Sequence, residues 1–206
     1  MKSPTTKPLY FALDLESVLV PEIWETIAQS TGIISLSQTT RDQPDYSELM
    51  SQRIRLCREN GLTLVQLRKI VSTMEPLPDA ITFIQWTLSH GKTIIVSDTF
   101  HELADPLLEK LGSIPILCNA LQIDEEGYIQ NFQFRHPLGK QEAITTLQSQ
   151  GYHVISIGDS FNDFSMLQQA DTAFLLNPSK IILSSNRGTE VVYSFSEIQE
   201  KLKKTL

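Results

Sequence analysis

Short apolar runs that end on an acid punctuate this chain: Leu9-Tyr-Phe-Ala-Leu-Asp14, Thr93-Ile-Ile-Val-Ser-Asp98 and Val154-Ile-Ser-Ile-Gly-Asp159. Each is rich in Ile, Val or aromatic side chains, and each is followed by a helical pattern. An unbroken apolar run of this length suits a strand covered on both faces, as in a parallel sheet; a strand wetted on one face would alternate. Thr172-Ala-Phe-Leu-Leu176 and Glu190-Val-Val-Tyr193 extend the set. Strands alternating with helices predict an α/β fold with a doubly wound parallel sheet.

The intervening segments carry helix signals. Asp79 is placed to cap a helix running through Leu88, with Ile81, Ile84 and Leu88 expected on one inward stripe and Gly91 beyond its end. Ala143, Ile144 and Leu147 fall together between Lys140 and Gln150, and Gly151 stops that run. A short helix is expected from Asn162 to Ala170 with Phe164 and Leu167 inward, and a lysine-rich one from Ser196 to Lys203. Residues 121–135 alternate around Asp124-Glu-Glu-Gly127, which predicts an exposed β-hairpin.

Residues 21–78 read differently, with no strand pattern and three helical stretches. Pro21 opens the first and Gly32 ends it; Asp45 with Glu48 starts a second that stops before Gly61; Thr63 with Gln66 opens a third, and Pro76 and Pro78 close the segment. That is too long for a crossover loop. The prediction is a helical cap, residues 21–78, inserted after the first strand of a core formed by residues 1–20 and 79–206. Extra helices packed directly on the sheet are the plainer alternative.

Composition narrows the function classes. The chain has 206 residues, a net charge of −7 and a pI near 5.1, so it lacks the basic surplus that nucleic-acid binding needs. An apolar fraction of 41% argues against disorder. The N-terminal apolar run is cut at Asp14, too soon for a signal-peptide core or a membrane span. Two cysteines, Cys57 and Cys118, indicate no disulfide framework and read as small buried hydrophobes. The expected compartment is the cytoplasm.

Ligands of a parallel α/β sheet bind at the carboxyl ends of its strands. Asp14, Ser97-Asp98 and Asp159 all fall at such ends, and Asp163 follows Asp159 by one helical turn. A lone strand-end Asp is more often a loop or helix cap, but three in register point to a site. Crowded carboxylates repel unless a cation intervenes, and oxygen ligands without His or Cys pairs select a hard ion such as Mg2+.

Asp14-Leu-Glu16 followed by Ser-Val-Leu-Val, then Ser97-Asp98-Thr99, then Lys140, then Gly158-Asp-Ser-Phe-Asn-Asp163, resembles in order and spacing the haloacid dehalogenase (HAD) superfamily of phosphohydrolases. The insert matches the position of the small helical cap in phosphoserine-phosphatase-like members. Residues 14–22, Thr40-Arg-Asp-x-Pro-Asp-Tyr46, Leu49-Met-x-Gln-Arg53 and Leu117-Cys-x-x-Leu-x-Ile-Asp124 are similar to the ThrH-type group within it, described as phosphoserine phosphatases with phosphoserine:homoserine phosphotransferase activity.

This resemblance implies a Rossmann-like HAD core and a set of roles. Asp14 would be the nucleophile that forms an aspartyl-phosphate. Asp14, the backbone carbonyl of Glu16 and Asp159 would bind Mg2+. Ser97 and the Asp98 N–H would hold phosphoryl oxygens, Lys140 would offset negative charge, and Asn162 and Asp163 would order the metal's surroundings or touch the phosphoryl group. Glu16 stands where the superfamily usually has Asp; ThrH-type proteins share the Glu, so it would serve as the general acid. Glu22 would meet the substrate ammonium and Arg53 its carboxylate. Taken alone, Glu22 equally suits a helix first turn, and residues alone do not choose among Arg53, Arg55 and Arg58. Arg41 is a weaker candidate in the cap loop. Trp24 and Trp86 read as core, the Lys201, Lys203, Lys204 cluster as a solvated helix end, and the four histidines as structural or surface groups, with His101 the nearest to the site. The implied partners are phosphoserine, homoserine as acceptor, and a second copy of the chain in a homodimer. A HAD phosphatase of another small phosphomonoester, and a non-catalytic HAD-like binding protein, stay open as alternatives.

Overall fold

The computed structural model describes residues 7–39, 42–43, 45–135 and 139–204. Arg41 and His136 lie outside them. The strands are β1 Leu9–Leu13, β2 Lys92–Phe100, β3 Ile116–Ile123, β4 Ile129–Gln133, β5 His153–Gly158, β6 Thr172–Leu176 and β7 Glu190–Val192. The helices are α1 Ile23–Thr31, α2 Tyr46–Glu59, α3 Leu64–Val71, α4 Ala80–His90, α5 His101–Lys110, α6 Gln141–Ser149, α7 Phe164–Gln169, α8 Lys180–Ser185 and α9 Phe195–Lys203, with a 3-10 turn at Ile34–Ser37. The sheet order is β4-β3-β2-β1-β5-β6-β7, parallel except for the β3–β4 pair.

The apolar runs are continuous because the sheet has a core on each face. Phe11, Leu13, Ile95, Ile155, Ile157 and Phe174 pack on one side, while the alternating Ala12, Ile94, Val96, Val154 and Leu175 pack on the other. α6, α7 and α8 cover the second face through Ala143, Ile144, Leu147, Met166, Leu167 and Ile182. The first face carries α4, α5 and α9, and its apolar cluster runs on without a break into residues 23–74 through Ile23, Met50, Leu67 and Met74. Among the described residues, no helix is long and apolar enough to cross a membrane.

Three local expectations need correction. α4 buries Ala80, Phe83, Ile84 and Thr87, while Ile81 and Leu88 are 44% and 49% exposed. The apolar arc of the helix covers more than half its circumference, so spacing could not choose which part of it turns inward. The large ring decides it: Phe83 stacks on Phe195 at 4.4 Å. Asp79 makes no side-chain cap bond and has a left-handed φ of 64°. β2 runs on to Phe100, past its acid, with a shift in register between Val96 and Phe100. The hairpin is real, but its first arm is the end of β3, a sheet strand paired with β2 from Ile116. It also supports the inserted helices, since the Leu64 N–H donates to the Gly127 carbonyl at 2.9 Å and Arg58 pairs with Asp124.

The insert itself follows its punctuation. Gly32 closes α1 in the left-handed conformation, the Asp45 carboxylate accepts from the N–H groups of Ser47 and Glu48, and Gln66 Oε1 accepts from the Thr63 N–H at 2.7 Å.

Candidate active site

β1 lies between β2 and β5, the point where the chain's path reverses direction across the sheet, and a crevice opens above the carboxyl ends of these strands. Leu13 pairs with Ile95 on one side and Ile157 on the other, so the next residues, Asp14, Ser97-Asp98 and Asp159, emerge side by side. The Asp14 N–H continues the ladder, donating to the Ile157 carbonyl at 2.9 Å.

The buried Lys140, at the start of α6, joins two of these segments. Its Nζ donates at 2.7 Å to Asp14 Oδ1 and at 2.7 Å to Asp163 Oδ1, and it lies 4.0 Å from Asp98 Oδ2. Burial pulls the ammonium's pKa down, but Asp14, Asp163 and Asp98 outweigh it and hold it well above its usual value, so Lys140 is a fixed cation. Burial and the neighbouring Asp163 push Asp14 upward against the pull of Lys140.

Asp163 is fully buried. Its Oδ2 accepts from the N–H groups of Asp159 and Ser160 at 2.9 and 3.0 Å and from Ser160 Oγ at 3.0 Å. It therefore fixes the loop that presents Asp159. This close fold-back explains Gly158: a Cβ there would sit 2.4 Å from Asp163 Cβ and 2.5 Å from its Cγ. Glycine at 158 is a requirement of packing.

The other wall comes from the turn after β1 and the inserted helices. Ser17 adopts a left-handed φ of 61°, turning the chain so that Glu16 Oε1 accepts from the Ile23 N–H of α1 at 2.8 Å. Burial, then Glu22, raises the Glu16 carboxyl to about 7, with the Ile23 N–H, Arg53 and Lys140 pulling the other way. Glu22 precedes α1 but does not cap it; its Oε1 accepts from Ser17 Oγ at 2.8 Å and the side chain lines the crevice.

Arg53 is the most unusual group in this wall. It is 7% exposed, lies 4.7 Å over the Trp24 ring, and donates from Nη2 to the Gln38 carbonyl at 2.7 Å. Nη1 reaches Met50 Sδ at 3.6 Å, and Nε is buried without a partner. Burial lowers its pKa. No carboxylate among the described residues lies within ion-pairing distance of it. Arg55 and Arg58, which the sequence could not separate from it, turn to Glu59 and to Asp124 and Glu126 respectively.

Two connected spaces result. A small one of about 80 Å³ is lined by Asp14, Glu16, Ser97, Asp98, Lys140 and Asp159. A larger one of about 660 Å³ continues from Glu16, Glu22, Asp98 and Asp159 to Trp24, Tyr46 and Arg53. Of the residues expected at the site, Asp14, Glu16, Glu22, Arg53, Ser97, Asp98, Lys140 and Asp159 line this crevice, and Asn162 is an exposed residue on its rim that lines both spaces; Arg41 falls outside the described residues. Asp163 lies behind the crevice.

The residues present fit a divalent cation. Carboxylate oxygens of Asp14, Asp159 and Asp163 lie within 4.8 Å of one another, and burial with the charge of Asp163 raises Asp159 to about 7. An all-oxygen set with surplus negative charge suits Mg2+. Because Lys140 and the loop amides already occupy Asp163, Asp14 and Asp159 are the freer ligands.

Trp24 is in the core as expected, and it is also the platform for Arg53; the sequence assigned no role to Ser17, Tyr46 or Gly158. Tyr46 could have been found from its spacing, because seven residues separate it from Arg53 on one helix face. Its hydroxyl donates to the Asp98 carbonyl at 3.0 Å, and burial raises the phenol's pKa, keeping it a donor. The three described histidines stay outside the site: His101 pairs with Asp105, His90 lies against Trp86, and His153 meets Thr172.

A family model described as haloacid dehalogenase-like hydrolase matches residues 10–171. The chain is 39% identical over 189 residues to phosphoserine phosphatase of Pseudomonas syringae pv. tomato, an alignment covering 92% of this chain and 80% of the relative. It is 37% identical over 192 residues to phosphoserine phosphatase ThrH of Pseudomonas aeruginosa, covering 93% and 94%. Among solved structures, a phospho-aspartyl intermediate analogue of phosphoserine phosphatase matches with a TM-score of 0.77 at 18% identity, covering 96% of this chain and 99% of that one, a likeness of fold. With the family model spanning most of its length and two relatives matched nearly end to end, the chain belongs to the haloacid dehalogenase-like hydrolases.

Proposed function

We propose that this hydrolase is a Mg2+-dependent phosphoserine phosphatase that also transfers the phosphoryl group to homoserine. The observation that carries the substrate assignment is Arg53, a nearly buried guanidinium that lines the larger space together with Glu22 and, among the described residues, has no carboxylate paired to it. A buried cation without a counter-charge is costly unless a ligand supplies one. A carboxylate at Arg53 and an ammonium at Glu22, with a phosphate below, describe a phosphorylated amino acid. The two relatives named above carry that substrate in their names.

In this reading the Asp14 carboxylate attacks phosphorus, and the ester oxygen of serine leaves with a proton from Glu16, giving an aspartyl-phosphate. Glu16 then takes a proton from water, or from the homoserine hydroxyl, as that oxygen attacks phosphorus and frees Asp14. Ser97 and the Asp98 N–H hold phosphoryl oxygens, with Asn162 at the rim. Lys140 offsets the charge on Asp14 and the phosphoryl group. Asp14, the Glu16 carbonyl and Asp159 would hold Mg2+, with Asp163 ordering them, and the ion would neutralise phosphoryl charge and orient the ester. Residues 21–78 act as a cap over a core of residues 1–20 and 79–206; excluding water there favours transfer over hydrolysis.

In this reading the protein works in the cytoplasm, where the buried free thiols Cys57 and Cys118 stay reduced. A homodimer rests on the resemblance, and light scattering decides it. The function is tested by incubating the protein with Mg2+ and phosphoserine, with and without homoserine, and measuring free phosphate and phosphohomoserine. Both products are expected. Turnover of another small phosphomonoester with kcat/KM about 100-fold above that of phosphoserine would overturn the substrate assignment.

A further inference from the structure

We infer that Tyr46 is a positioning residue that couples the amino-acid half of the site to its phosphoryl half. The inference rests on the roles proposed above for Arg53 and for the Ser97-Asp98-Thr99 turn. Tyr46 and Arg53 belong to one helix, α2, seven residues apart and on the same face, and both line the larger space. The Tyr46 hydroxyl crosses from that helix to the sheet and donates to the Asp98 carbonyl at 3.0 Å. Asn119 Nδ2 donates to the same carbonyl at 2.8 Å from β3.

Two donors on one carbonyl fix the plane of the peptide between Asp98 and Thr99, and the Thr99 N–H in turn points to Ser97 Oγ at 3.3 Å. The orientation of this turn decides where Ser97 and the Asp98 N–H aim. One of its anchors, Asn119, belongs to the sheet, and the other belongs to the helix that bears Arg53. A ligand that seats α2 through Arg53 therefore also seats Tyr46 on Asp98. By linkage, a phosphoryl group held by the turn favours the same seat for α2 and tightens binding at Arg53 by the same factor. The Tyr46 ring rests near Phe134, with centroids 5.7 Å apart, so Tyr46→Phe keeps that contact and removes the hydroxyl alone.

The test measures beryllofluoride binding to the Mg2+-loaded protein, as a phosphoryl mimic, with and without L-serine, as the amino-acid half. In the wild type, serine should tighten beryllofluoride binding about tenfold, within the usual range of coupling between sites. In Tyr46→Phe, beryllofluoride should bind about tenfold more weakly, and the serine effect should fall below about twofold. Equal beryllofluoride affinity in the two proteins, or an undiminished serine effect in Tyr46→Phe, overturns the inference. Asn119→Ala supplies an independent check, because it removes the sheet-borne donor, and with it the acceptor of the Arg135 N–H, without changing any residue of α2. It should weaken beryllofluoride binding yet keep the serine effect, a split that general destabilisation does not produce; loss of the serine effect in Asn119→Ala also overturns the inference. If serine does not bind the wild type, the phosphoserine assignment fails, and Tyr46 is judged on the beryllofluoride affinity alone.

Discussion

Asp163 accepts hydrogen bonds from Asp159, from both the N–H and Oγ of Ser160, and from Lys140, whereas Arg53 is held by one backbone carbonyl, one sulfur and one ring and keeps a buried N–H unpartnered. The difference separates the floor of the site from its wall. The floor is saturated, by groups three or four residues away along the chain and by Lys140 from the start of α6, so Asp163 has no bond left for a ligand to complete. The wall is set by side chains from separate helices and holds unused hydrogen-bonding capacity. Chemistry is expected to depend on the first region and substrate choice on the second.

The hardest blow to the floor is Asp14→Asn. The amide cannot serve as nucleophile and loses its charge against Lys140, so phosphate release is expected to fall by about 10^4-fold or more, with Arg53 untouched. Residual turnover within about 100-fold of wild type would remove Asp14 from the role of nucleophile.

Gly158→Ala strikes the same region without removing a functional group. The new methyl would sit 2.4 Å from Asp163 Cβ, so the Asp159–Asp163 loop must move. Overpacking of this kind costs about 1–3 kcal/mol, and a shift of about 1 Å at Asp159 lowers kcat by about 100-fold. Thermal melting and steady-state kinetics check the two parts. A variant with wild-type kcat would show that the floor is less rigid than its hydrogen bonds imply.

Arg53→Lys tests the wall. A lysine keeps the charge but loses the planar fork and the face that lies over Trp24. KM for phosphoserine should rise about 10- to 100-fold with kcat within about threefold, because the contact is made equally in ground and transition states. A fall in kcat with unchanged KM would place Arg53 in the chemistry and erase the contrast between the two regions.

The same contrast explains what the sequence disclosed. Asp14, Ser97-Asp98 and Asp159 were legible because each ends a run whose two-sided burial forces a parallel strand, and adjacent parallel strands must deliver their ends to one edge. Lys140 and Asp163 came with the ordered motifs. The wall was less legible. Residues alone gave no reason to prefer Arg53 over Arg55 or Arg58, since the choice depends on where α2 docks. Trp24 read as core because a ring packed beneath a guanidinium has the same helical spacing as one packed beneath leucine. Gly158 came with its motif but without a reason, because its cause is a contact through space with a residue five positions on. α4 was misread for a related reason: its apolar arc is wider than the face it buries, and the part that turns inward is chosen by Phe195, far along the chain.

The smallest expected effect separates the wall from its outer support. Arg58 pairs with Asp124, lies 3.7 Å from Glu126 and sits 4.9 Å over the Tyr128 ring, tying α2 to the β3–β4 hairpin. Its side chain is half exposed and both pairs face water, so Arg58→Ala should cost no more than about 1 kcal/mol, less in high salt. Kinetic constants for phosphoserine should stay within about twofold, since Arg53 is also held from its own side by Gln38, Met50 and Trp24. Urea unfolding at low and high salt, beside kinetics, checks both statements. A rise in KM comparable to that of Arg53→Lys would mean that the hairpin, and not the packing of α2 against Trp24, sets the position of the wall.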